Sequence, residues 1–231
     1  MIEHRQRLYA AGAFGILAFL VAQTFQELAY ALWIPTSHGV GDDLRIMLLP
    51  IDKARSVAIL ATIIMLLIPY AALAINRFSA APLTSVLGLI GVTIFVLVEA
   101  IPRSIDLFTV GDAWAHAYQA AATDAERLAI VGRLTILQQI EHGWFFVTMS
   151  SYLLGSVAFA VATWRNDTRW RWLAPAGFLL NALRLTGRIA STFGGQTWLA
   201  SLNDSAYYPA VVVVNTLLLA WFILEARRPT S

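Results

Sequence analysis

The chain has 231 residues, of which 58% are hydrophobic and only 13% are charged, whereas about a quarter of the residues of a soluble domain are charged. A soluble core of this size cannot hide so much apolar surface, so the composition predicts an integral membrane protein. Cysteine is absent, which excludes disulfides, thiolate metal sites and cysteine nucleophiles. The formal net charge is +2 and the basic residues are scattered, so no continuous basic stripe indicates a nucleic-acid partner.

Six stretches are long and apolar enough to cross the hydrocarbon core of a bilayer, for which a helix needs about 20 residues. They cover residues 8–34, 55–76, 83–102, 142–164, 172–192 and 207–225. We therefore predict an all-α fold, in which residues 1–231 form one domain with a bundle of six transmembrane helices. The small-x-small pattern of Ala29-Tyr30-Ala31 is also typical of a signal-peptide cleavage site, but Gln26 and Glu27 interrupt the apolar run before it.

Charge is distributed unevenly over the connections. The two tails and the connections after spans two and four carry half of the 16 basic residues: Arg5, Arg7, Arg77, Arg165, Arg169, Arg171, Arg227 and Arg228. The connections after spans one and three are acidic, with Asp42, Asp43, Asp52, Asp106, Asp112, Asp124 and Glu126. The positive-inside rule then predicts that both termini are cytoplasmic and that the acidic connections face outward.

The two outer connections contain further helix signals. Residues 35–50 include an apolar run after Gly41, which favours a short helix on the outer interface that could act as a lid. Thr123 and Glu126 have the Thr-x-x-Glu spacing of a capping box, so a helix should begin at Asp124. Continued to Trp164, it would be about 60 Å long, about twice the hydrocarbon thickness, and its first half should form an extended outer stalk. A short helix over residues 112–121 is expected to pack on that stalk.

Polar residues within the spans recur at helical spacing, so those of each span share one helix face. They are Gln23, Gln26 and Glu27 in the first span, Glu99, Arg103 and Asp106 in the third, Gln138, Glu141 and His142 at the fourth, Asn181, Arg184 and Arg188 in the fifth, and Tyr208 and Asn215 in the last. Because alternate spans run in opposite directions, most of these groups fall in the outer half of the bundle. Polar residues inside spans usually face the bundle interior or a wet cavity, so we predict a polar pocket that opens outward above an apolar inner half.

Each of these groups also has a structural interpretation. Glu99 and Arg103 have the i,i+4 spacing of an ion pair that secures a helix end. Arg184 lies about 18 Å along its helix, within the hydrocarbon zone, and needs an acidic partner, either within the protein or on a ligand. His142 can act as an acid or base, or it can anchor an interfacial turn.

Four side chains are candidates for proton transfer: Glu27, Glu99, Glu141 and His142. The candidate substrate-binding residues are Gln26, Arg103, Gln138, Asn181, Arg184, Arg188, Tyr208 and Asn215. His142 is the single histidine of the spans, which excludes a bis-histidine haem. The acidic residues have no recognised metal-ligand spacing, and no Gly-x-Ser-x-Gly motif surrounds a serine. We expect no metal and no cofactor.

Residues 98–103 (VEAIPR) and 169–177 (RWRWLAPAG) resemble a family of small, multi-span bacterial inner-membrane proteins of unknown function. The resemblance covers the last four spans, whereas the first outer connection and residues 138–142 (QQIEH) do not clearly match. It implies a bacterial inner (plasma) membrane location and a multi-span bundle, and it supplies no activity or site residues.

Three functional hypotheses follow. The first is a cofactor-independent acid/base enzyme, a cyclase, isomerase or lyase, acting on a small apolar or amphiphilic substrate that enters from the outer leaflet. The second is a non-enzymatic binding, sensor or transport protein in which the arginines hold an anionic amphiphile. The third is a structural protein, a homo-oligomer or a membrane partner subunit, docked through the outer stalk. The sequence leaves open whether the chain is an enzyme.

Overall fold

The structure is a computed structural model that describes residues 2–164, 170–195 and 197–228. Nine α-helices and one π-helical segment, with no strand, make up these ranges: α1 Ile2–Leu32, α2 Val40–Ile46, α3 Pro50–Met65, α4 Leu67–Arg77, α5 Pro82–Ser104, the π-helical segment Ile105–Trp114, α6 Ala115–Ala120, α7 Asp124–Trp164, α8 Leu173–Phe193 and α9 Thr197–Ala226. The predicted all-α class is confirmed. Arg165 and Arg169, assigned above to a cytoplasmic connection, lie outside the described residues.

The long helices form a closed antiparallel bundle. Helix α1 packs against α3 and α4 on one side and α9 on the other, and α5, α7, α8 and α9 follow one another around the ring. We call the end that carries Leu32, Asp124 and Phe193 the outer end, and the end that carries Arg5 and Glu225 the inner end. The polar site described below lies between the outer halves of these helices.

Five helical stretches are long and apolar enough to cross a membrane: Glu3–Leu32, Pro50–Arg77, Pro82–Ala120, Asp124–Trp164 and Ser205–Ala226. Helix α8 has 21 residues and packs between α7 and α9, but it is not one of the five among the described residues. Asn181, Arg184 and Arg188 lower its hydropathy. The helices therefore fit a polytopic membrane protein, and the residues that weaken the sixth apolar signal are those of the polar site.

Small residues bring α5 and α7 into close contact in the inner half. A Cβ atom on Gly91 would lie 2.7 Å from the backbone N of Gly155 and 2.7 Å from the backbone O of Ser151. Close backbone approach at small residues is typical of helix pairs in membranes. The contact fixes which faces of α5 and α7 look into the bundle, and Phe95 of α5 consequently stacks on Tyr152 of α7 with ring centroids 4.2 Å apart.

Helix α7 begins at Asp124, as predicted. The Thr123 hydroxyl accepts a hydrogen bond from the Glu126 amide at 3.2 Å, and the Thr123 amide donates to the Glu126 carboxylate at 3.1 Å. These are the two reciprocal bonds of a capping box. The helix continues without a break for 41 residues to Trp164.

The third predicted span differs from the structure in where its helix ends. The predicted span stops at Pro102, yet the helical backbone passes through Pro102 and continues as the π-helical segment and α6 to Ala120. The wider π turn bonds residue i to i+5. Part of the short helix predicted over residues 112–121 is thus a continuation of α5.

The outer ends have a small apolar core of their own. Its buried members are Leu44, Val110, Ala115, Ile130 and Leu134, from α2, the π-helical segment, α6 and α7. The short helix predicted between residues 35 and 50 is present as α2. This cluster holds the outer connections against α7, directly beyond the polar site.

Candidate functional site

A cavity of about 110 Å³ opens between α1, α5, α7, α8 and α9 in the outer half of the bundle. This volume is several times what a single water needs. Four charged side chains line it, Glu99, Arg103, Arg184 and Arg188, together with the amides of Gln23, Asn181 and Asn215 and a wall that includes Phe95, Phe145 and Met149. We call it the arginine cavity, because three of its four charged groups are arginines.

The described partners of Arg184 and Arg188 are all neutral groups. The Arg184 guanidinium donates two hydrogen bonds to Asn181 Oδ1, at 3.2 and 3.0 Å. The Arg188 guanidinium lies over two rings, 4.8 Å from the Tyr207 centroid and 5.3 Å from that of Phe145. Among the side chains that the structure describes, no carboxylate lies within 4.0 Å of either arginine. No described side chain therefore compensates their positive charges at short range.

Glu99 and Arg103 form the ion pair that their spacing predicts. Arg103 Nε lies 2.8 Å from Glu99 Oε1, and the two side chains are 36% and 20% exposed for Arg103 and Glu99 respectively. Both also line the arginine cavity. The two residues thus form the structural ion pair, and a ligand in the cavity would also contact them.

The neutral polar groups of the cavity are mostly satisfied within the protein. Asn181 Nδ2 donates to Ser156 Oγ at 2.8 Å, and Asn215 Nδ2 donates to the Val211 carbonyl at 2.8 Å. Gln23 is different: the residue is 4% exposed, and its Oε1 has no hydrogen-bond partner among the described residues. Sequence reasoning placed Gln23 on the polar face of α1 but did not select it as a binding residue, although its spacing from Gln26 was the available signal.

The cavity lining does not include Gln26, Gln138 or Tyr208. The Gln26 side-chain oxygen accepts a 3.4 Å hydrogen bond from Arg55, and the Tyr208 hydroxyl donates to Thr24 Oγ1 at 3.0 Å. Gln138 lines a separate groove, beside Leu134. The predicted substrate-binding residues therefore divide into a group around the arginine cavity and a group outside it.

The four candidate proton-transfer residues are not brought together either. Glu99 alone lines the arginine cavity, whereas Glu27 is half-buried and lies outside its lining. His142 is exposed, and its ring centroid lies 5.0 Å from that of Phe193. Glu141 Oε1 is buried without a hydrogen-bond partner in the described part of the chain, within electrostatic range of Asp106, Arg103 and Glu99.

A second, smaller cavity of about 70 Å³ lies on the outer side of Arg103, which lines both cavities. We call it the ion-pair cavity. Arg55 Nη2 lies 2.7 Å from Asp52 Oδ1 in a pair whose side chains are 12% and 7% exposed. Lys53 pairs with Asp112 of the π-helical segment. In this cavity each of the three cations has a carboxylate partner.

No three His, Asp or Glu side chains converge as metal ligands among the residues that the structure describes. No family model, no curated protein and no solved structure matches the chain. The resemblance to a bacterial membrane family therefore rests on the quoted segments alone, and the function has to be argued from the geometry of the site.

Proposed function

We propose that the chain is a plasma-membrane protein that binds a small anionic amphiphile in the arginine cavity. The observation that carries this proposal is the pair Arg184 and Arg188, two half-buried guanidinium groups without a carboxylate partner among the side chains that the structure describes. A partly desolvated charge is costly unless it is paired. A carboxylate or phosphate supplied by a ligand would compensate that cost.

The chemistry of the guanidinium group supports an oxyanion as the charged part of the ligand. Arginine presents a planar set of donors that matches the two oxygens of a carboxylate or a phosphate. The reduced dielectric of a cavity inside a helix bundle strengthens that attraction relative to water. The cation-π contacts of Arg188 with Tyr207 and Phe145 orient its guanidinium without using its hydrogen-bond donors.

The remaining wall supports a short apolar body for the same ligand. Phe19, Phe95, Phe145 and Met149 line the cavity beside the arginines. Apolar walls with a few convergent polar groups are typical of small-molecule sites. The cavity volume limits that body to a small one.

The membrane topology that goes with this proposal has six crossings, with both termini in the cytoplasm. Arg5 of α1 lies 3.6 Å from Glu225 of α9, and the Gln6 side chain donates to the Arg228 carbonyl at 2.9 Å. The start of α1 and the end of α9 are thus on the same side of the bundle, so the chain crosses the membrane an even number of times. Because five helices are apolar enough to span the membrane, an even number of crossings needs one more, and α8 is the helix that supplies it.

By the positive-inside rule, the basic residues favour the cytoplasm for that shared side, and the family resemblance favours a bacterial inner membrane. The arginine cavity then faces the outer side. Helix α7 as a whole is about 60 Å long at 1.5 Å per residue. Its outer half forms the proposed stalk.

Binding is tested by calorimetry on the purified protein in nanodiscs, with hexanoate and hexyl phosphate as anionic probes and hexanol as the uncharged probe. We expect the anions to bind and hexanol not to bind. Arg184→Met and Arg188→Met should each weaken hexanoate binding at least about tenfold, because a hydrogen bond to a charged group contributes about 1.5–3 kcal/mol. Arg133, an exposed arginine of α7, gives the matched control Arg133→Met, which should bind like the wild type. Equal hexanoate affinity in the wild type and in an Arg184→Met, Arg188→Met double variant would overturn the proposal.

A second candidate function, acid/base catalysis, is favoured by one observation. Glu141 has a buried carboxylate oxygen without a partner in the described residues, near Glu99 and Asp106. A carboxyl group in such surroundings is suited to proton transfer. Incubation with unsaturated hexenoates in D2O should then lead to deuterium incorporation into the substrate, and Glu141→Gln should abolish it. Absence of incorporation in the wild type would leave binding as the function.

A further inference from the structure

Among the described residues that line the arginine cavity, Gln23 alone has a buried side-chain polar atom without a hydrogen-bond partner. It is 4% exposed, lines the cavity, and its Oε1 has no partner among the described residues. A buried amide without partners destabilises the protein unless a water or a ligand satisfies it. A hydroxyl group can donate a hydrogen bond to this oxygen.

The depth of Gln23 places it beside the anion-binding arginines rather than at the inner end of the cavity. Thr24, its neighbour on α1, bonds Tyr208 of α9, and the Arg184 guanidinium lies 5.4 Å from the ring centroid of Tyr207, the preceding residue of α9. Asn215, by contrast, is seven residues further inward from Tyr208, or about 10 Å along the helix. Gln23 and Arg184 therefore lie at a similar level on facing helices.

From this arrangement we infer that the ligand of the arginine cavity is a hydroxy acid, with a hydroxyl group close to its anionic group. The arginines bind the oxyanion, the amide of Gln23 bonds the neighbouring hydroxyl, and the aromatic wall receives the remaining short chain. This inference rests on the proposed anion-binding function. It adds a specificity-determining residue and a narrower ligand class to it.

The test compares hexanoate with its α-hydroxy, β-hydroxy and ω-hydroxy derivatives by calorimetry on the full chain in nanodiscs. We expect the α- or β-hydroxy acid to bind about fivefold more tightly than hexanoate, the gain typical of one neutral hydrogen bond. The ω-hydroxy acid should show no such gain. In Gln23→Met, which keeps the length and removes the polar atoms, the preference should disappear, so that hexanoate and its α- and β-hydroxy derivatives bind this variant with equal affinity.

The same substitution at Gln139, an exposed residue of α7, is the matched control, and Gln139→Met should keep the preference. Hexanoate binding that depends on Arg184, without any gain from an α- or β-hydroxyl, would overturn this inference and leave the anion site standing. A preference that survives in Gln23→Met would also overturn it. Failure of hexanoate and of all three hydroxy acids to bind the wild type would remove both the anion site and the inference built on it.

Discussion

The two cavities of the outer half share Arg103 but differ in whether the other cations that line them are paired with carboxylates. In the ion-pair cavity every lining cation has a carboxylate: Arg55 has Asp52, Lys53 has Asp112 and Arg103 has Glu99. In the arginine cavity, Arg184 and Arg188 have an amide and two aromatic rings as their partners. Both regions are rich in charge, so charge content alone does not distinguish them.

On the proposed function, the difference in pairing distinguishes charges that stabilise the fold from charges that bind a ligand. In a buried ion pair, the attraction between the two charges offsets the cost of their desolvation. Neither charge is then available to a ligand, and removing one member leaves the other uncompensated. An arginine that meets only neutral groups keeps its capacity for an external anion. Substitutions in the ion-pair cavity should therefore change mainly the free energy of unfolding. Substitutions of Arg184 or Arg188 should change mainly the affinity for anions.

The largest effect on stability should come from Asp52→Asn. This change leaves the Arg55 guanidinium, which is 12% exposed, without its carboxylate, and breaking a buried pair typically costs about 3 kcal/mol or more. Denaturant unfolding in detergent micelles, followed by tryptophan fluorescence, measures the loss. Glu3→Gln, which breaks the exposed Glu3–Arg7 pair, is the control and should cost less than about 1 kcal/mol. Equal effects of the two changes would mean that the Asp52–Arg55 pair has no special structural role.

Glu99→Gln should produce the next effect, and it converts a paired arginine into an unpaired one. Because the Glu99–Arg103 pair is only partly buried, we expect a stability loss of about 1 kcal/mol. Hexanoate affinity should rise severalfold, since Arg103 becomes available to the arginine cavity that it lines. The double variant Glu99→Gln, Arg103→Met should return to wild-type affinity in the same calorimetric titration. A fall in affinity in Glu99→Gln would instead mean that Glu99 itself contacts the ligand.

Local rules predicted the elements that depend on local interactions. The periodic apolar runs located the bundle helices, because helix formation in a bilayer depends on the length of the apolar stretch. The capping box of Thr123 and Glu126 located the start of α7, and the i,i+4 spacing identified the Glu99–Arg103 pair. The last two signals involve residues at most four positions apart, and the first is a continuous run, so the sequence displays all three directly.

Features that depend on helix rotation were not predictable in this way. Glu141 and His142 are adjacent in the chain, but neighbours on an α-helix point about 100° apart, and the structure buries an oxygen of Glu141 while His142 is exposed. The rotation of α7 is set by its contact with α5 at Gly91, a pairing between residues far apart in the sequence. An acidic partner for Arg184 could not be identified from the sequence either, because the depth of a residue along its span does not fix which helix faces meet.

Lys53→Met should have a smaller effect than either carboxylate substitution. The Lys53–Asp112 pair is partly exposed, and pairs of this kind typically contribute about 0.5 kcal/mol or less. The same unfolding measurement at low and high ionic strength checks this, since the difference between Lys53→Met and the wild type should shrink as salt screens the pair. A salt-independent loss above about 2 kcal/mol would mean that Lys53 is effectively buried and belongs with Asp52 in the structural group.

The smallest effect on stability should come from Arg188→Met, the substitution with a large expected effect on binding. Because Arg188 has no carboxylate partner among the described side chains, its removal breaks no ion pair that the structure describes. Methionine also keeps a flexible apolar side chain against Phe145 and Tyr207. We expect the free energy of unfolding without ligand to stay within about 0.5 kcal/mol of the wild type.

Hexanoate then distinguishes the two proteins. At about 100 times the dissociation constant, a ligand that binds only the folded state raises its stability by about 2.7 kcal/mol, and this gain should appear in the wild type and be largely lost in Arg188→Met. Arg133→Met should retain it. If Arg188→Met instead unfolded as readily as Asp52→Asn, the two cavities would not differ in kind, and Arg188 would have to be counted among the charges that hold the bundle together.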